Sequence, residues 1–391
     1  MRIIYCLAGT FNSGGMERIV INKANWLAEH GHEVSIITTE QNGRQNFFPL
    51  NEKVTRIDLD VMYSDTNSLG VVKKMISRKR LMRKHRKALN TVLLQNKPDI
   101  VVSTFGNEVG FLPFIADGSR KVAEIHFSRW YRLQLNRKGI WRIIDKYLTY
   151  TDYRILKKFD RFICLTEEDK LNWGKLNNIE VIPNFIEDIA AQTAPLTAKS
   201  MIAVGRLSYQ KGYERLVKAW KIVADKHPDW RLNIFGGGEL KDDLESLIKN
   251  VDLNNYIKIH EPTAQILREY VNNSALVLSS RYEGLPMVLL EASSVGLPLI
   301  SFTCQCGPKD IIMSGYNGLL VNEGDIDGLA EAIIKVIENP ELRKEMGKNS
   351  LEKSTEYNKE IIMNKWNGLF HSLMTVSYTH LRAHETELHL V

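Results

Sequence analysis

S-S-R-Y-E-G-L-P-M-V-L-L-E, residues Ser279 to Glu291, decides how the second half of the chain is read. The apolar run Ala275 to Leu278 before it suits a buried parallel strand, and Met287 to Val295 after it suits a helix. The expectation is strand, turn and helix. Pro286 is expected at the first helical position, where its missing N–H costs nothing, so that the amides of Met287, Val288 and Leu289 open out of the helix end. Such an end attracts anions, phosphate above all. Glu283 falls in the turn and Glu291 one turn inside the helix. Carboxylates beside a phosphate cradle suit neutral hydroxyls. The pattern therefore spells a nucleotide-sugar pocket, with amides on the diphosphate, one glutamate on the sugar and the other on the ribose diol. A capped helix with two solvated acids is the plain alternative, and the rest of the chain decides between them.

Working outward, 391 residues with 44% apolar content suit two or three domains with sizeable cores. No run of about 18 apolar residues occurs, so no membrane-spanning helix is expected. The N-terminus, Met-Arg followed by the strand-like Ile3 to Leu7, lacks a signal core, and a cytoplasmic protein is expected. Cys6, Cys164, Cys304 and Cys306 are too scattered for a disulfide framework, and Cys304-Gln305-Cys306 lacks zinc or redox spacing. All four read as reduced and structural.

The net charge is +6, and its distribution is uneven. Thr66 to Pro98 contains no acid, whereas Lys73, Lys74, Arg78, Lys79, Arg80, Arg83, Lys84, Arg86, Lys87 and Lys97 are basic. Val72, Met75, Ile76, Met82, Leu89 and Leu93 recur through it at helical spacing, predicting a basic amphipathic helix over residues 71–94. Its basic face suits an anionic membrane surface. No nucleic-acid partner is expected, because no recognition motif or interleaved aromatics accompany the charge.

The first half alternates strand-like runs with helical stretches: Arg2 to Leu7, Glu33 to Thr38, Val54 to Leu59, Ile100 to Ser103, Lys121 to Ile125 and Arg161 to Thr166. Alternation of this kind predicts a parallel sheet covered by helices, with ligands at the carboxyl ends of the strands. The first such end, A-G-T-F-N-S-G-G from Ala8 to Gly15, is not a G-x-G-x-x-G loop, but Gly14 and Gly15 would let backbone approach a ligand. Residues 186–199 read as a linker by composition. A second series opens with I-A-V-G-R-L-S-Y-Q-K-G, placing Arg206 and Lys211 in the loop before a helix from Tyr213 to Asp225. Two cations there would neutralise charge building on a departing diphosphate. Leu232 to Phe235 ends in Gly236-Gly237-Gly238-Glu239, where Gly237 fits close backbone approach to a base. Further strands are expected at Ile257 to Ile259 and Leu299 to Phe302, and a helix at Gly328 to Glu338.

Taken jointly, E-G-L-P-M-V-L-L-E-A, G-R-L-S-Y-Q-K-G from Gly205 to Gly212 and G-G-M-E-R from Gly14 to Arg18 resemble the retaining family-4 glycosyltransferases of the GT-B fold, over roughly residues 1 to 375. The resemblance implies an α/β protein with two Rossmann-like parallel-sheet domains facing a cleft. Residues 1–185 would form the acceptor-side domain, 186–199 the linker, 200–355 the donor-binding domain and 356–376 a helix crossing back to the first domain. It implies roles as well: His126, after the strand Val122 to Ile125, beside the donor sugar; Gly14 and Gly15 at the diphosphate or acceptor; Arg206 and Lys211 on the leaving group; Glu283 on sugar hydroxyls; Glu291 on the ribose. Arg129, Trp130, Tyr131, Arg132, Leu133, Arg137, Lys138 and Trp141 would suit an acceptor's diphosphate and lipid, or equally a packed helix edge. Asp58-Leu59-Asp60 is the metal mark of the other main glycosyltransferase fold but sits early in a chain whose later motifs are GT-B, so no metal and no cofactor is expected. Residues 377–391, without apolar period, resemble a non-native tail.

The reading is retaining transfer of a hexose or N-acetylhexosamine from a UDP-sugar donor to a hydroxyl of a growing, lipid-linked bacterial glycan, at the inner face of the cell membrane. The rivals are a sugar-nucleotide epimerase on the same fold, a phosphorylase, and a non-catalytic partner that binds sugar nucleotide or membrane. Intact Arg206, Lys211, Glu283 and Glu291 argue against the last.

Overall fold

Short apolar runs, buried at nearly every position in the central strands and partly exposed in the edge strands, build two separate parallel sheets in the computed structural model of this chain. The structure describes residues 1–12, 14–134, 137–187 and 192–387, with side chains placed up to residue 375. The first sheet contains β1 (Arg2–Leu7), β2 (Glu33–Thr38), β3 (Thr55–Asp58), β4 (Ile100–Ser103), β5 (Arg120–Glu124), β6 (Arg161–Cys164) and β7 (Ile179–Val181), in the order β3-β2-β1-β4-β5-β6-β7. The second contains β8 (Ser200–Val204), β9 (Arg231–Phe235), β10 (Ile257–His260), β11 (Leu276–Leu278), β12 (Leu299–Phe302) and β13 (Gly318–Val321), in the order β10-β9-β8-β11-β12-β13. Both orders reverse direction beside the first strand of their sheet, the arrangement that opens a ligand crevice in doubly wound folds.

The helices are α1 (Gly15–Glu29), α2 (Val71–Asn96), α3 (Tyr131–Gln134), α4 (Ile140–Leu156), α5 (Glu167–Trp173), α6 (Tyr213–Lys226), α7 (Lys241–Asn250), α8 (Ile266–Val271), α9 (Met287–Ser294), α10 (Pro308–Ile311), α11 (Ile326–Glu338), α12 (Pro340–Ser354) and α13 (Lys359–Glu387). The chain divides into one unit of residues 1–164, 172–182 and 363–391, and a second of residues 165–171 and 183–362. In the first unit, Leu89 and Leu93 of α2 and Leu156 of α4 share one apolar cluster with Ile4, Cys6, Val101, Ala123 and Cys164 of the sheet. In the second, Trp220 of α6 and Ile333 of α11 pack on Ala203, Ile234, Val277 and Ile300.

Several expectations are corrected. Strands β7 and β13, of three and four residues, were not anticipated and are fixed by pairing to β6 and β12. Pro286 caps α9 in an extended conformation (φ −72°, ψ 97°) rather than opening it, so the helix starts one residue later. The Leu289 amide is then not open, since it donates to the Pro286 carbonyl at 3.0 Å. The segment 186–199 is not a free linker where it is described. Ile186, Ala194 and Leu196 are buried in the second unit, and the Ala194 amide donates to Val295 O at 2.8 Å. Composition suggested a tether because its few apolar residues are widely spaced among small polar ones. The reading of 186–199 over residues 188–191 lies outside the described residues. From Met363 the chain belongs to the first unit, where Asn367 Oδ1 lies 3.1 Å from His32 Nε2. The backbone of α13 runs on to Glu387, through part of the segment read as a tail; residues 388–391 lie outside the described residues.

Candidate functional site

In the second unit the loops after β8 and β11, the two strands flanking the reversal of sheet order, interlock. The Arg281 amide donates to Gln210 O at 2.7 Å and Gln210 Nε2 to Tyr282 O at 2.9 Å. Glycine makes the approach possible. Gly212 has φ +62°, and a Cβ there would lie 2.6 Å from Ser279 O. The loop after β9 closes on the same place, with Leu207 N–H donating to Gly237 O at 2.9 Å. A Cβ on Gly236 would stand 2.0 Å from Gly205 O, so only glycine fits. A Cβ on Gly237 would meet Pro262 at an ordinary 3.5 Å, so internal packing alone does not require this predicted base-contacting glycine.

This framework brings Lys211 and Glu283, 72 residues apart, into contact: Nζ lies 2.7 Å from Glu283 Oε1. Ser280 Oγ donates to the same oxygen at 2.6 Å, and the Glu283 amide donates to Gln305 O at 3.1 Å. Both side chains are largely buried, at 16% and 7% exposure. Glu283 begins four residues before α9, whose first amides, Met287 and Val288, have no intrahelical acceptor by construction. Inside α9, Glu291 accepts from Tyr270 Oη at 3.1 Å on Oε2. Arg206 differs from Lys211: it is exposed and sits 3.2 Å from Glu239 on the rim. The donor-side candidates Lys211, Glu283, Met287 and Val288 thus share one strand edge, with Glu291 one turn deeper. Arg215 was not singled out from the sequence. Its guanidinium donates to Ser279 O at 2.7 Å, pairs with Glu323 at 2.7 Å and covers the Phe302 ring. Its place three residues after the strained Gly212 was the available signal.

Gly14, Gly15 and His126 belong to the first unit. Gly14 caps α1, and a Cβ on it would strike the Glu17 carboxylate at 2.2 Å, whereas Gly15 faces open space. Ser13 of that loop lies outside the described residues. His126 follows β5 and rests on a buried charge cluster that the sequence reading missed. Glu124, fully buried, pairs with Lys23 of α1, also buried, and His126 Nε2 stands 3.0 Å from the same Glu124 oxygen. Lys23 Nζ lies 4.0 Å from the Trp366 ring centre on α13. Burial opposes charge on Glu124, yet Lys23 and His126 outweigh it and hold the carboxyl at about 2. Burial also draws the Lys23 ammonium below its usual range, against the attraction of Glu124. His126 Nδ1 is buried with no partner among the described residues. The signal was a lysine on the apolar stripe Ile19, Val20, Ala24 and Leu27 of α1.

The aromatic and basic cluster around residue 130 is mostly spent internally. Arg129 donates to Asn172 O and stacks by Trp130 and Trp173, Arg132 pairs with Asp152, and Arg137 with Asp145 at 2.9 Å. Asp58 accepts from Thr38 Oγ1 at 3.0 Å and from the Asn42 amide at 2.9 Å, so it braces its loop. No group of three or more metal-ligating side chains occurs among the described residues, and no described helix is long and apolar enough to cross a membrane.

Residues 184–353 match the family model described as glycosyl transferases group 1, and residues 13–188 match glycosyltransferase family 4. An uncharacterized glycosyltransferase of Haemophilus influenzae is 30% identical over 92% of this chain and 96% of its own length. The amylovoran biosynthesis glycosyltransferase AmsD of Erwinia amylovora is 27% identical over 94% of this chain and 99% of its own. Among solved structures, a variant of Staphylococcus aureus TarM in complex with fondaparinux, α-GlcNAc-glycerol and UDP superposes with a TM-score of 0.74 at 16% identity, covering 94% of this chain and 99% of that one. That likeness carries the fold, two Rossmann-like domains of the GT-B type.

Proposed function

The chain belongs to the glycosyltransferases of these two matched families, and on that footing we propose that it moves a hexose or N-acetylhexosamine from a UDP-sugar to a hydroxyl of a growing, lipid-linked bacterial surface glycan, with retention at the transferred carbon. The observation that carries the reading is the Lys211–Glu283 pair at the reversal of the second sheet, ahead of the open amides of α9. A diphosphate on those amides and on Lys211 would have its leaving charge neutralised where it develops. Arg206, exposed and paired with Glu239, adds a cation at the rim. Glu283 is assigned to the sugar hydroxyls, Glu291 to the ribose diol, Gly237 to the base, His126 to orienting the sugar, and Gly14 and Gly15 to backbone contact with diphosphate or acceptor.

UDP is favoured by the TarM complex, whose bound nucleotide is UDP, and a surface glycan by the amylovoran relative. No metal or other cofactor is needed on this reading, since lysine, arginine and amides supply the positive charge. The departing phosphate is assigned the acceptor's proton, which makes a dedicated carboxylate base unnecessary. A membrane contact at the inner face of the cell membrane, through residues 71–94, is supported by α2, whose Val71, Val72, Met75 and Ile76 are exposed among cations.

The test is UDP release from a panel of UDP-hexoses and UDP-N-acetylhexosamines, with and without bacterial membrane lipid extract. Release with one donor that rises with extract is expected. Silence across the panel, together with no thermal stabilisation by UDP or another nucleotide, would replace the enzyme with a non-catalytic binding partner.

A further inference from the structure

Helix α4 is built inside out. Its only two acids, Asp145 and Asp152, are buried against Arg137 and Arg132, while Ile140, Trp141, Ile143, Tyr147 and Tyr150 face solvent with Arg142 and Lys146 between them. Ile143 is 69% exposed and Asp145 1%. A helix covering a core does the opposite. The first half of α2 also exposes its apolar residues Val71, Val72, Met75 and Ile76, while the buried residues of this helix, His85, Leu89 and Leu93, lie in its second half.

Topology puts the two faces together. The β3-to-β4 and β5-to-β6 connections advance in the same direction along the sheet, so right-handed crossovers place α2 and α4 on one face. Their shared cluster on that face, Leu89, Leu93 and Leu156, agrees. Both helices start at the carboxyl edge of the strands and run back. In α2, His85 lies level with Tyr63 beyond that edge, and Asn96 reaches Arg2 at the opposite edge. The stretch from Val71 to His85, about 20 Å long, therefore lies beyond the carboxyl edge, beside the 66–67 turn to which Arg78 and Lys74 donate. His126 leaves β5 at the same edge.

We propose that the first halves of α2 and α4 form one surface that lies on an anionic lipid bilayer, with α4 setting Trp141, Ile143 and Tyr147 at the headgroup boundary. The proposal rests on the membrane reading of residues 71–94 and extends it to a second helix. Charge selects lipid over protein as the occupant. Aromatic residues fit either interface, but protein interfaces are depleted in lysine, whereas α2 carries Lys73, Lys74, Lys79, Lys84 and Lys87 and neither helix exposes an acid. Tryptophan and tyrosine beside aliphatic side chains and cations is the composition of an interfacial helix.

The full chain is tested by co-sedimentation with vesicles of phosphatidylcholine alone and of equal phosphatidylcholine and phosphatidylglycerol, and by quenching of tryptophan fluorescence with brominated lipid. Expected are binding to the anionic vesicles alone, partitioning about tenfold weaker in Ile143→Ser/Tyr147→Ser, and quenching that falls in Trp141→Phe. Circular dichroism checks that the exposed substitutions leave the fold intact, and Leu171→Ser, exposed in the second unit, should bind as the parent does. A Lys73→Glu/Lys74→Glu variant separates the two helices. If it loses binding while the α4 variants bind and quench normally, the α4 surface is overturned and the α2 reading stands. If the parent ignores anionic vesicles, both fall and the exposed face belongs to a protein partner.

Discussion

Replacing Glu124 by Gln leaves Lys23 buried at 1% exposure without its carboxylate, so it either keeps an unpaired charge or gives up its proton on folding. Removing one partner of a buried pair costs about 3–5 kcal/mol, because the survivor keeps its desolvation penalty without compensation. Spread over a unit of this size, that lowers the melting temperature by about 10 °C. Lys23→Met should cost a similar amount by stranding Glu124 beside His126. The double change Lys23→Met/Glu124→Gln removes both charges at similar volume, keeps Trp366 covered, and should recover most of the loss, since neutral replacements of buried pairs are often near neutral. The assay is thermal unfolding of the full chain followed by tryptophan fluorescence, with Trp366 in contact with the substituted group. A double variant as unstable as the worse single variant would refute the claim that Lys23 and Glu124 chiefly compensate each other's burial. Singles that melt within a degree or two of the parent would refute its burial.

His85, 1% exposed beside Tyr63 and Phe111, is pushed down by burial to about 4. The neutral ring is the folded form, so its contribution is present above the unfolded value near 6.5 and is lost as pH falls to 4, about 3 kcal/mol in all. Unfolding curves of the parent and His85→Gln across that window should differ by this amount, and parallel pH profiles would dismiss it. Gly212→Ala, at φ +62° with a Cβ 2.6 Å from Ser279 O, should cost about 2 kcal/mol and weaken UDP binding by displacing Lys211; unchanged calorimetric affinity would count against the loop framework. Glu291→Ala should weaken UDP binding about tenfold and lower the melting temperature, since Tyr270 Oη also donates to this carboxylate, and equal affinity would end its assignment to the ribose.

The alternation of apolar runs and helical stretches made two parallel sheets legible, because strands such as β4 and β12, buried at every position, are apolar at all but one residue, Ser103 and Ser301. What escaped was set by tertiary pairing. β13 is a strand because Gly318 can lie against Leu299, a relation no local pattern contains. The 71–94 stretch was read as one amphipathic face, yet Leu89 and Leu93 enter the core while Val72, Met75 and Ile76 do not. Periodicity identifies a stripe but not how far the sheet extends beneath it. Lys23 and Glu124 passed unnoticed for a different reason: each sits on an apolar pattern and so looks like a defect until its partner, 101 residues away, is known.

The candidate donor-side residues were likewise legible one by one but not as a pair. Motif by motif, Lys211 was a cation for phosphate and Glu283 an acceptor for sugar hydroxyls, two independent roles. The fold makes them one group, because strand order places the loops after β8 and β11 side by side. A lone buried lysine would be costly without ligand, and a lone glutamate beside a diphosphate would repel it. Paired and steadied by Ser280, the two satisfy each other in the free protein. On the proposed reading, an arriving sugar nucleotide supplies an anion for Lys211 and hydroxyls for Glu283, exchanging one satisfied pair for two. Donor recognition then depends on both ends of the ligand, since a diphosphate without its sugar would take Lys211 and leave Glu283 buried without its cation.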